Sequence, residues 1–472
     1  MHNDIEALMA PRSIAIVGAS NDAQRIGGKP LAYLIRSGFD RPVYPVNPNR
    51  ETVQGIRAYP SLGAIPEPVD LVVLAIPAAA TLAAVREGAE KGVRVVVVLA
   101  GGFAELGAAG QRVQDDMVAI ARAHGMRILG PNVIGAFNLA NGTLATFIGT
   151  YPERHNDRTI ALVSQSGGYA SHILWTAARR GLSIDQLVST GNECDIDLGE
   201  VIEWMATAPE VGPIIAYVEG VRDPARFVRA LAAAKAARKP VIILKVGATE
   251  AGARAAVSHT AAVAGVDEAY QAVFDAYGVY RARTIEEAID IALAVSIAPL
   301  PRGRRVAAIS LSGGVAVQFA DAITEASLTI ATLTDSTRAE LSHLIPACSP
   351  DNPIDTTAQI LNEPEKLPAF VRTILSDPGV DALVGYLGVS VDMENSRDLL
   401  RDSLRQLRDE FPDIPIALAM AAREEIVRPY IDMGVIAVGD PAHAIRAIAG
   451  LAALRDGFEA STVVNIDPAF TV

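Results

Sequence analysis

The chain has 472 residues, half of them hydrophobic and only 5% aromatic, which is too long for one ordinary core and suits two to four domains. Asp and Glu outnumber Lys and Arg by 54 to 41; the net charge of −13 excludes a general nucleic-acid binder and leaves a local phosphate site open. Cys194 and Cys348 make neither a disulfide framework nor a metal-ligand pair, residues Met1 to Ala10 lack a basic region before an apolar core, and the apolar run Leu71 to Val85 is broken by Pro77, so a reduced, cytoplasmic, non-membrane protein is expected.

Arg12 to Gly18 reads as a short buried strand ending in glycine. Ala19 to Asp22 follow, then Gly27-Gly28-Lys29 ahead of an apolar helix through Tyr33 and Ile35. Strand, glycine turn and helix make a cradle of backbone N–H groups for a phosphate. The spacing is not G-x-G-x-x-G, and Gly18, Gly27 and Gly28 serve equally well as tight turns. Further strands are predicted over Pro42 to Val46, Asp70 to Ile76, Val93 to Leu99 and Arg127 to Leu129. A helix from about Gly110 turns Val113, Met117 and Ile120 inward and ends at His124, read as a partner of the helix C-terminus. Ser20, Asn47, Pro77, Gly101 and Asn132 fall at the carboxyl ends of these strands, where doubly wound sheets bind ligands; Pro and Asn there also make plain turns.

The polar stretch from Asn141 to Arg158 is read as a linker. A new unit starts with the strand Thr159 to Val163, the turn Ser164-Gln165-Ser166-Gly167-Gly168 and a helix from Tyr169 to Arg179. The same device returns as Arg305 to Ile309, Ser310-Leu311-Ser312-Gly313-Gly314 and a helix beginning near Val315. Asn- and Asp-rich segments follow both, at Thr190 to Asp197 and Ser349 to Thr356, so two related α/β domains are expected. Each S-x-S-G-G turn offers N–H groups and hydroxyls at the positive end of a helix, an anion site or a simple serine cap.

Pro213 to Val218 is a strand that delivers Glu219 at its end, and Pro240 to Lys245 leads towards a small-residue loop, Gly252 to Gly265, that carries His259. If the two strands are neighbours, Glu219 accepts one imidazole N–H and leaves the other nitrogen as a nucleophile; otherwise it is a solvated carboxylate. No other histidine has metal-ligand spacing, so no metal site is expected, and neither a G-x-x-x-x-G-K-[ST] loop nor a G-x-S-x-G elbow occurs.

Read in order, Val17-Gly18-Ala19-Ser20, Tyr44 to Pro48, Ala75-Ile76-Pro77, Ala100 to Glu105 and Gly130-Pro131-Asn132 resemble a CoA-binding domain. Ser164 to Gly168, Gly191-Asn192, Glu219-Gly220 and Ser258-His259-Thr260 resemble a ligase domain with a phosphorylated histidine, and Asn352 to Asp355 resembles a third domain. The chain thus resembles the NDP-forming acyl-CoA synthetases, the superfamily of succinyl-CoA synthetase and ADP-forming acetate–CoA ligase, of α-subunit type. The resemblance implies an α/β architecture: a Rossmann-like CoA-binding domain over 1–140, then two flavodoxin-like succinyl-CoA-synthetase-type domains over 155–298 and 302–465. It implies that His259 is the phosphohistidine and Glu219 its orienting carboxylate. Ser164, Ser166, Gly167, Gly168, Ser312, Gly313 and Gly314 would surround the phosphate. Gly18, Ser20, Gly27, Lys29, Asn47, Arg50, Pro77, Gly101 and Asn132 would surround CoA. Val133 stands where many members have cysteine, and Ala261-Ala262 replaces Gly-Ala.

The three units account for the chain to Val472, so the resemblance places ATP, ADP, magnesium and the ATP-grasp module on a separate β subunit, in an α2β2-type hetero-oligomer. The implied reaction joins a small carboxylic acid to CoA at the expense of ATP, through an acyl phosphate and a phosphohistidine. Two other readings keep the scaffold: a CoA- or acyl-CoA-binding regulatory protein, and a nucleotide-independent acyltransferase.

Overall fold

Short valine-, isoleucine- and leucine-rich runs closed by Gly or Pro build many of the central strands, among them those at Ile14–Val17, Leu71–Leu74 and Val95–Val98. A computed structural model describes residues 2–150, 159–249, 251–252, 267–357, 363–393 and 397–461. The described chain divides into two units, one up to Ile285 and one from Glu286 to Ser461.

The first unit opens with helix α1 (His2–Met9), strand β1 (Ile14–Val17), α2 (Lys29–Arg36), β2 (Val43–Val46) and the small hairpin β3 (Thr52–Val53) and β4 (Ile56–Arg57). There follow β5 (Leu71–Leu74), α3 (Ala78–Lys91), β6 (Val95–Val98), α4 (Ala108–Ala123) and β7 (Arg127–Leu129). Five strands form a parallel sheet in the order β2-β1-β5-β6-β7. All residues of β5 and β6 are buried, as helix-covered parallel strands require. The strand order reverses at β1, whose Val17 lies opposite Val46 on one side and Leu74 on the other. The loops leaving β1 and β5 therefore part there, which is where doubly wound sheets hold ligands.

The second sheet contains β8 (Gly135–Asn138), β9 (Thr143–Thr146), β10 (Thr159–Ser164), β11 (Ile184–Ser189), β12 (Val211–Val218), β13 (Val241–Lys245) and β14 (Tyr280–Arg281), in the order β14-β13-β12-β10-β11-β8-β9. Its helices are α5 (Gly167–Arg179), α6 (Leu198–Thr207), α7 (Pro224–Ala236) and α8 (Asp267–Tyr277). The stretch read as a linker from Asn141 contains β9, which pairs antiparallel with β8 and extends this sheet. Thr143 and Thr146 are buried there, and the Thr146 hydroxyl donates to the Ile134 carbonyl at 2.6 Å. The hairpin spans residue 140, so residues on both sides of that position belong to the second sheet.

The two sheets share one apolar cluster that runs from Ile16 and Leu31 through Val133 and Ala136 to Val163 and Phe227. An ion network crosses the same seam. Arg127 Nε lies 2.8 Å from Asp195 Oδ2 and its Nη2 2.9 Å from Glu200 Oε2, with both carboxylates almost fully buried. Burial opposes the charge on Arg127, but hydrogen bonds from Glu200 and Asp195 outweigh it and fix the guanidinium in its charged form.

The second unit carries α9 (Ile285–Ile297), β15 (Arg305–Ser310), α10 (Gly313–Glu325), β16 (Thr329–Ile330), β17 (Ile354–Asp355), β18 (Ala382–Gly388), β19 (Ile416–Met420), β20 (Ile436–Val438) and α11 (Pro441–Glu459). Its parallel sheet runs β16-β15-β18-β19-β20, with β17 also on β15. Ala294 of α9 packs with Val306 of β15 and Ile448 of α11, so this helix joins the second unit's core.

Candidate functional site

The β1 turn is shaped by two glycines that no other residue could replace. Gly18 has φ +84°, and a Cβ there would lie 2.5 Å from the Ala75 carbonyl oxygen. A Cβ on Gly27 would lie 2.2 Å from the Gly18 carbonyl oxygen. Ser20 N donates to the Gly27 carbonyl at 3.2 Å and its hydroxyl accepts from Asp22 N, closing the loop on itself. Asn47 Nδ2 donates to the Ala19 carbonyl at 2.9 Å, and its Oδ1 accepts from Asn49 N. Its amide thus holds the loop's frame. Gln54, which carries no signature in the sequence, donates from Nε2 to the carbonyls of Ser20 and Gly28 at 2.8 and 2.9 Å and locks both ends of the same loop.

Lys29 begins α2 and Arg50 is exposed after β2. Neither is in an ion pair among the described residues. Pro77 caps α3, Gly101 follows β6, and Asn132, at φ +66°, sits after β7 with its N–H on the Ala100 carbonyl. These positions line the carboxyl end of one sheet, as the sequence indicates. Val133 is buried, so the side chain that replaces cysteine packs inward. His124 ends α4 with Nδ1 3.0 Å from the Ile120 carbonyl, a helix-terminal contact.

The turn after β10 is held from within. Ser164 is fully buried; its hydroxyl donates to the Ser166 carbonyl at 2.7 Å and accepts from Ser166 N. Ser164 was expected beside a phosphate; its hydroxyl is spent closing the turn, which places it behind the N–H groups. Ser166 Oγ caps α5 by accepting from Tyr169 N at 3.3 Å. The N–H groups of Gly167 and Gly168 meet no acceptor among the described residues. A Cβ on Gly168 would meet only the Ser166 hydroxyl, at 3.9 Å, so the turn is open beside Gly168, whereas a Cβ on Gly167 would lie 2.6 Å from Ile134 Cγ2. This is the electropositive end of a 13-residue helix.

Glu219 follows β12, which pairs with β10 on one side and β13 on the other. Val218 is opposite Lys245, so the two strand ends emerge side by side, as the expected role of Glu219 requires. Gln165, the middle residue of the turn, fastens this arrangement. Its Oε1 accepts from Glu219 N at 2.6 Å and Gly220 N at 3.2 Å, and its Nε2 donates to the Gly220 carbonyl at 2.6 Å. Lys245 Nζ donates to the carbonyls of Glu219 and Val246 and lies 4.6 Å from the centre of the Tyr270 ring. Burial pulls the Lys245 ammonium down to about 8. The His259 loop itself, residues 253–266, lies outside the described residues.

The second S-x-S-G-G turn, in the other unit, repeats this geometry bond for bond at its base. Ser310 Oγ donates to the Ser312 carbonyl at 2.7 Å and accepts from Ser312 N at 3.0 Å. Thr190 N bonds the Ser164 carbonyl and Thr356 N the Ser310 carbonyl, both at 2.9 Å. The two echoes read in the sequence are therefore equivalent in structure. They differ above the base. Leu311 stands where Gln165 stands, the Ser312 hydroxyl caps nothing, and a Cβ on Gly313 would lie 3.0 Å from Asp355 Oδ2. A carboxylate beside the N-terminal turn of α10 makes Ser312, Gly313 and Gly314 a poorer phosphate cradle than Ser166, Gly167 and Gly168.

A polar seam joins the loops after β6 and β7 to the loop after β11. Asn192 Nδ2 donates to Glu105 Oε2 at 2.5 Å, Glu105 Oε1 accepts from Gly102 N, and Asn132 Nδ2 reaches Asn192 Oδ1 at 3.4 Å. Burial works against Glu105, but the bonds from Gly102 and Asn192 prevail and hold its carboxyl below the usual range. Next to Asn192, Glu193 is buried and accepts from the Thr190 hydroxyl at 2.8 Å and Leu198 N at 3.0 Å. Burial pushes its carboxyl up from 4.5 to about 7.

A raised carboxyl stabilises the fold fully below its unfolded value, and that contribution is lost as pH rises through the folded value. Stability should therefore fall between pH 4.5 and about 7 on account of Glu193. Glu193→Gln, a neutral isostere, is expected to flatten that part of the profile and to melt higher than the parent above it. Thermal melts across the window check this; an unchanged slope contradicts it. Among the described residues no group of three or more His, Cys, Asp or Glu side chains could hold a metal ion, and no helix is long and apolar enough to cross a membrane.

A parallel sheet with a glycine-rich loop at its switch point, packed against a second largely parallel sheet with N–H groups unpaired among the described residues at a helix start, defines a two-sheet α/β protein of doubly wound type. A CoA-binding domain family matches residues 12–138, and a succinyl-CoA-ligase-like flavodoxin domain family matches residues 157–295. The chain is 38% identical to the ADP-forming acetate–CoA ligase II subunit alpha of Pyrococcus furiosus over 375 residues, 79% of this chain and 80% of that one. It is 33% identical to the ligase I subunit alpha of the same organism, over 95% of this chain and 97% of that one. The solved acetyl-CoA synthetase 1 of Ca. Korarchaeum cryptofilum, in complex with phosphate and ADP, superposes with a TM-score of 0.86 at 29% identity, covering 97% of this chain and 98% of that one. The chain belongs to the NDP-forming acyl-CoA synthetase family, among the ADP-forming acid–CoA ligases of α-subunit type.

Proposed function

We propose that this chain is the α subunit of an ADP-forming acyl-CoA synthetase that acts with a separate ATP-grasp β subunit, on which ATP and magnesium bind. The observation that carries the reading is the meeting of the Ser164–Gly168 turn with Glu219. Their strands are neighbours, and Gln165 bonds one directly to the other. Glu219 also leaves its sheet beside the strand that feeds the His259 segment.

In this reading a phosphoryl group moves from ATP to an imidazole nitrogen of His259, which becomes a phosphohistidine and releases ADP. The phosphoryl group then passes to the carboxylate of the acid, giving an acyl phosphate, and the CoA thiol displaces phosphate to form the thioester. Splitting one transfer into covalent stages makes each stage easier. The N–H groups of Gly167 and Gly168 and the positive end of α5 oppose the charge of the phosphoryl group. Glu219 orients the imidazole by accepting its other N–H. Lys29 and Arg50 face the CoA phosphates, and the Gly18–Gly27 loop with Asn47, Pro77, Gly101 and Asn132 forms the mouth that receives the nucleotide end. Functional modules of 1–140, 155–298 and 302–465, an α2β2-type assembly and a cytoplasmic location complete the proposal.

The test is to mix the purified chain with a candidate ATP-grasp β subunit from the same genome and scan short carboxylic acids for CoA-dependent ADP release. ADP release with one or more acids is expected. CoA binding without ADP release from any acid contradicts the reading and favours a CoA-binding regulatory role.

A further inference from the structure

The two S-x-S-G-G turns of this chain make an internal comparison. Everything the turn needs in order to fold occurs in both: the buried first serine that bonds around the second, and the threonine whose N–H and hydroxyl reach the first serine's carbonyl. The middle residue differs. Leu311 in the second turn demonstrates that the turn forms with an aliphatic side chain at that place. Gln165 in the first turn does what folding of the turn does not require.

What it does is directed at one strand end. Its carbonyl oxygen takes both backbone N–H groups of Glu219 and Gly220, and its amide donates to the Gly220 carbonyl. Oε1 therefore uses both of its acceptor sites and Nε2 one of its two donors. Its own backbone N–H is on the Tyr217 carbonyl, so the residue is tied to β12 at two points. An amide held by three bonds to one strand end cannot turn without breaking them together, and it sets where the Glu219 Cα lies relative to the N–H groups of Gly167 and Gly168.

We propose that Gln165 is a positioning residue for phosphoryl transfer: it fixes the Glu219 strand end against the α5 phosphate turn, so that the imidazole acceptor and the anion-binding donors are held in one geometry. The proposal rests on the assignment of His259 and Glu219 made above. Positioning errors of about 1 Å cost roughly 100-fold in rate. The effect is expected on the transfer step and not on CoA, whose loops belong to the first sheet.

The test measures phosphorylation of the chain by labelled ATP in the presence of the ATP-grasp partner, with steady-state kinetics alongside. Gln165→Leu copies the second turn and is expected to fold. It should slow single-turnover phosphorylation by roughly 10- to 100-fold and lower kcat with it, leaving the KM for CoA within about twofold of the parent. Phosphorylation by Gln165→Leu within about twofold of the parent overturns the proposal. So does an equal loss that appears only as a raised KM for CoA. Should Gln165→Leu not fold, Gln165→Met carries the same expectation, and hydrogen exchange on the parent provides a test without any variant: the Glu219 and Gly220 amides must be protected, and fast exchange at both overturns the proposal. Failure of the parent chain itself to be phosphorylated is a different result, which removes the proposed function and not the positioning argument alone.

Discussion

His259→Ala is expected to abolish CoA-dependent ADP release by the chain and its ATP-grasp partner while leaving the melting temperature unchanged. The argument for loss is chemical. The proposed route has a single covalent carrier, and alanine has no nucleophilic nitrogen to take its place. The argument for unchanged stability is compositional: small residues flank His259 on both sides, so no large neighbour is left to fill a gap. Binding of CoA should persist, because the loops after β1, β2, β5, β6 and β7 lie in the first sheet. Calorimetry with CoA beside an ADP-release assay checks both halves. Residual ADP release at a few per cent or more of the parent would sink the carrier assignment.

Arg127→Met is expected to have the largest effect on stability. Arg127 reaches Asp195 and Glu200 together, with the side chains of these acids only 1% and 5% exposed. Asp195 Oδ2 also accepts from Ile128 N at 2.9 Å, so it cannot swing out to water without leaving that buried N–H of the edge strand β7 unpaired. Methionine keeps the aliphatic length of Arg127 and removes its charge. Two buried carboxylates then lose their central counter-ion, and removing one partner from a buried pair costs about 3–5 kcal/mol. Arg122 still touches Asp195 at 3.1 Å and Arg226 lies 3.6 Å from Glu200, which places the expected loss near the lower end, about 3 kcal/mol. Denaturant unfolding followed on the first unit reads this out. A loss below about 1 kcal/mol, the size of an exposed pair, contradicts it. The same seam is crossed a few residues away by the hydrogen bonds among Asn192, Glu105 and Asn132.

Much of the architecture is legible in the sequence because parallel strands buried on both faces announce themselves as apolar runs closed by Gly, Pro or Asn. Val95 to Val98 and Leu71 to Leu74 are of this kind. The S-x-S-G-G turns are legible because serine caps and glycines at a helix start have local causes. The hairpin at Gly135–Thr146 escapes for the opposite reason. It is short, its Thr146 hydroxyl is satisfied by the Ile134 carbonyl, a partner the sequence does not display, and it completes the edge of a sheet whose other strands come later in the chain.

The residues that hold the site are legible only in part. Gln165 lies inside a visible motif, yet its partners Glu219 and Gly220 are 54 and 55 positions away. Gln54 reaches back 34 positions to Ser20, and Asn192 reaches back 87 to Glu105. Periodicity and turn chemistry report local preferences, whereas these amides act between strands that topology alone brings together. Ser164 illustrates the converse. Its motif marks it as a ligand-facing hydroxyl, and full burial within the turn assigns that hydroxyl to the fold.

The central claim is that a phosphoryl group resides on His259 between nucleotide and acid. It is tested most directly by incubating the parent chain with ATP, magnesium and its ATP-grasp partner, without acid or CoA, and mapping the phosphate by mass spectrometry under alkaline conditions that preserve phosphohistidine. The account predicts an acid-labile phosphate on His259, discharged by ADP and by acid plus CoA. A fully active mixture in which His259 carries no phosphate, or in which another residue carries it, would contradict the account.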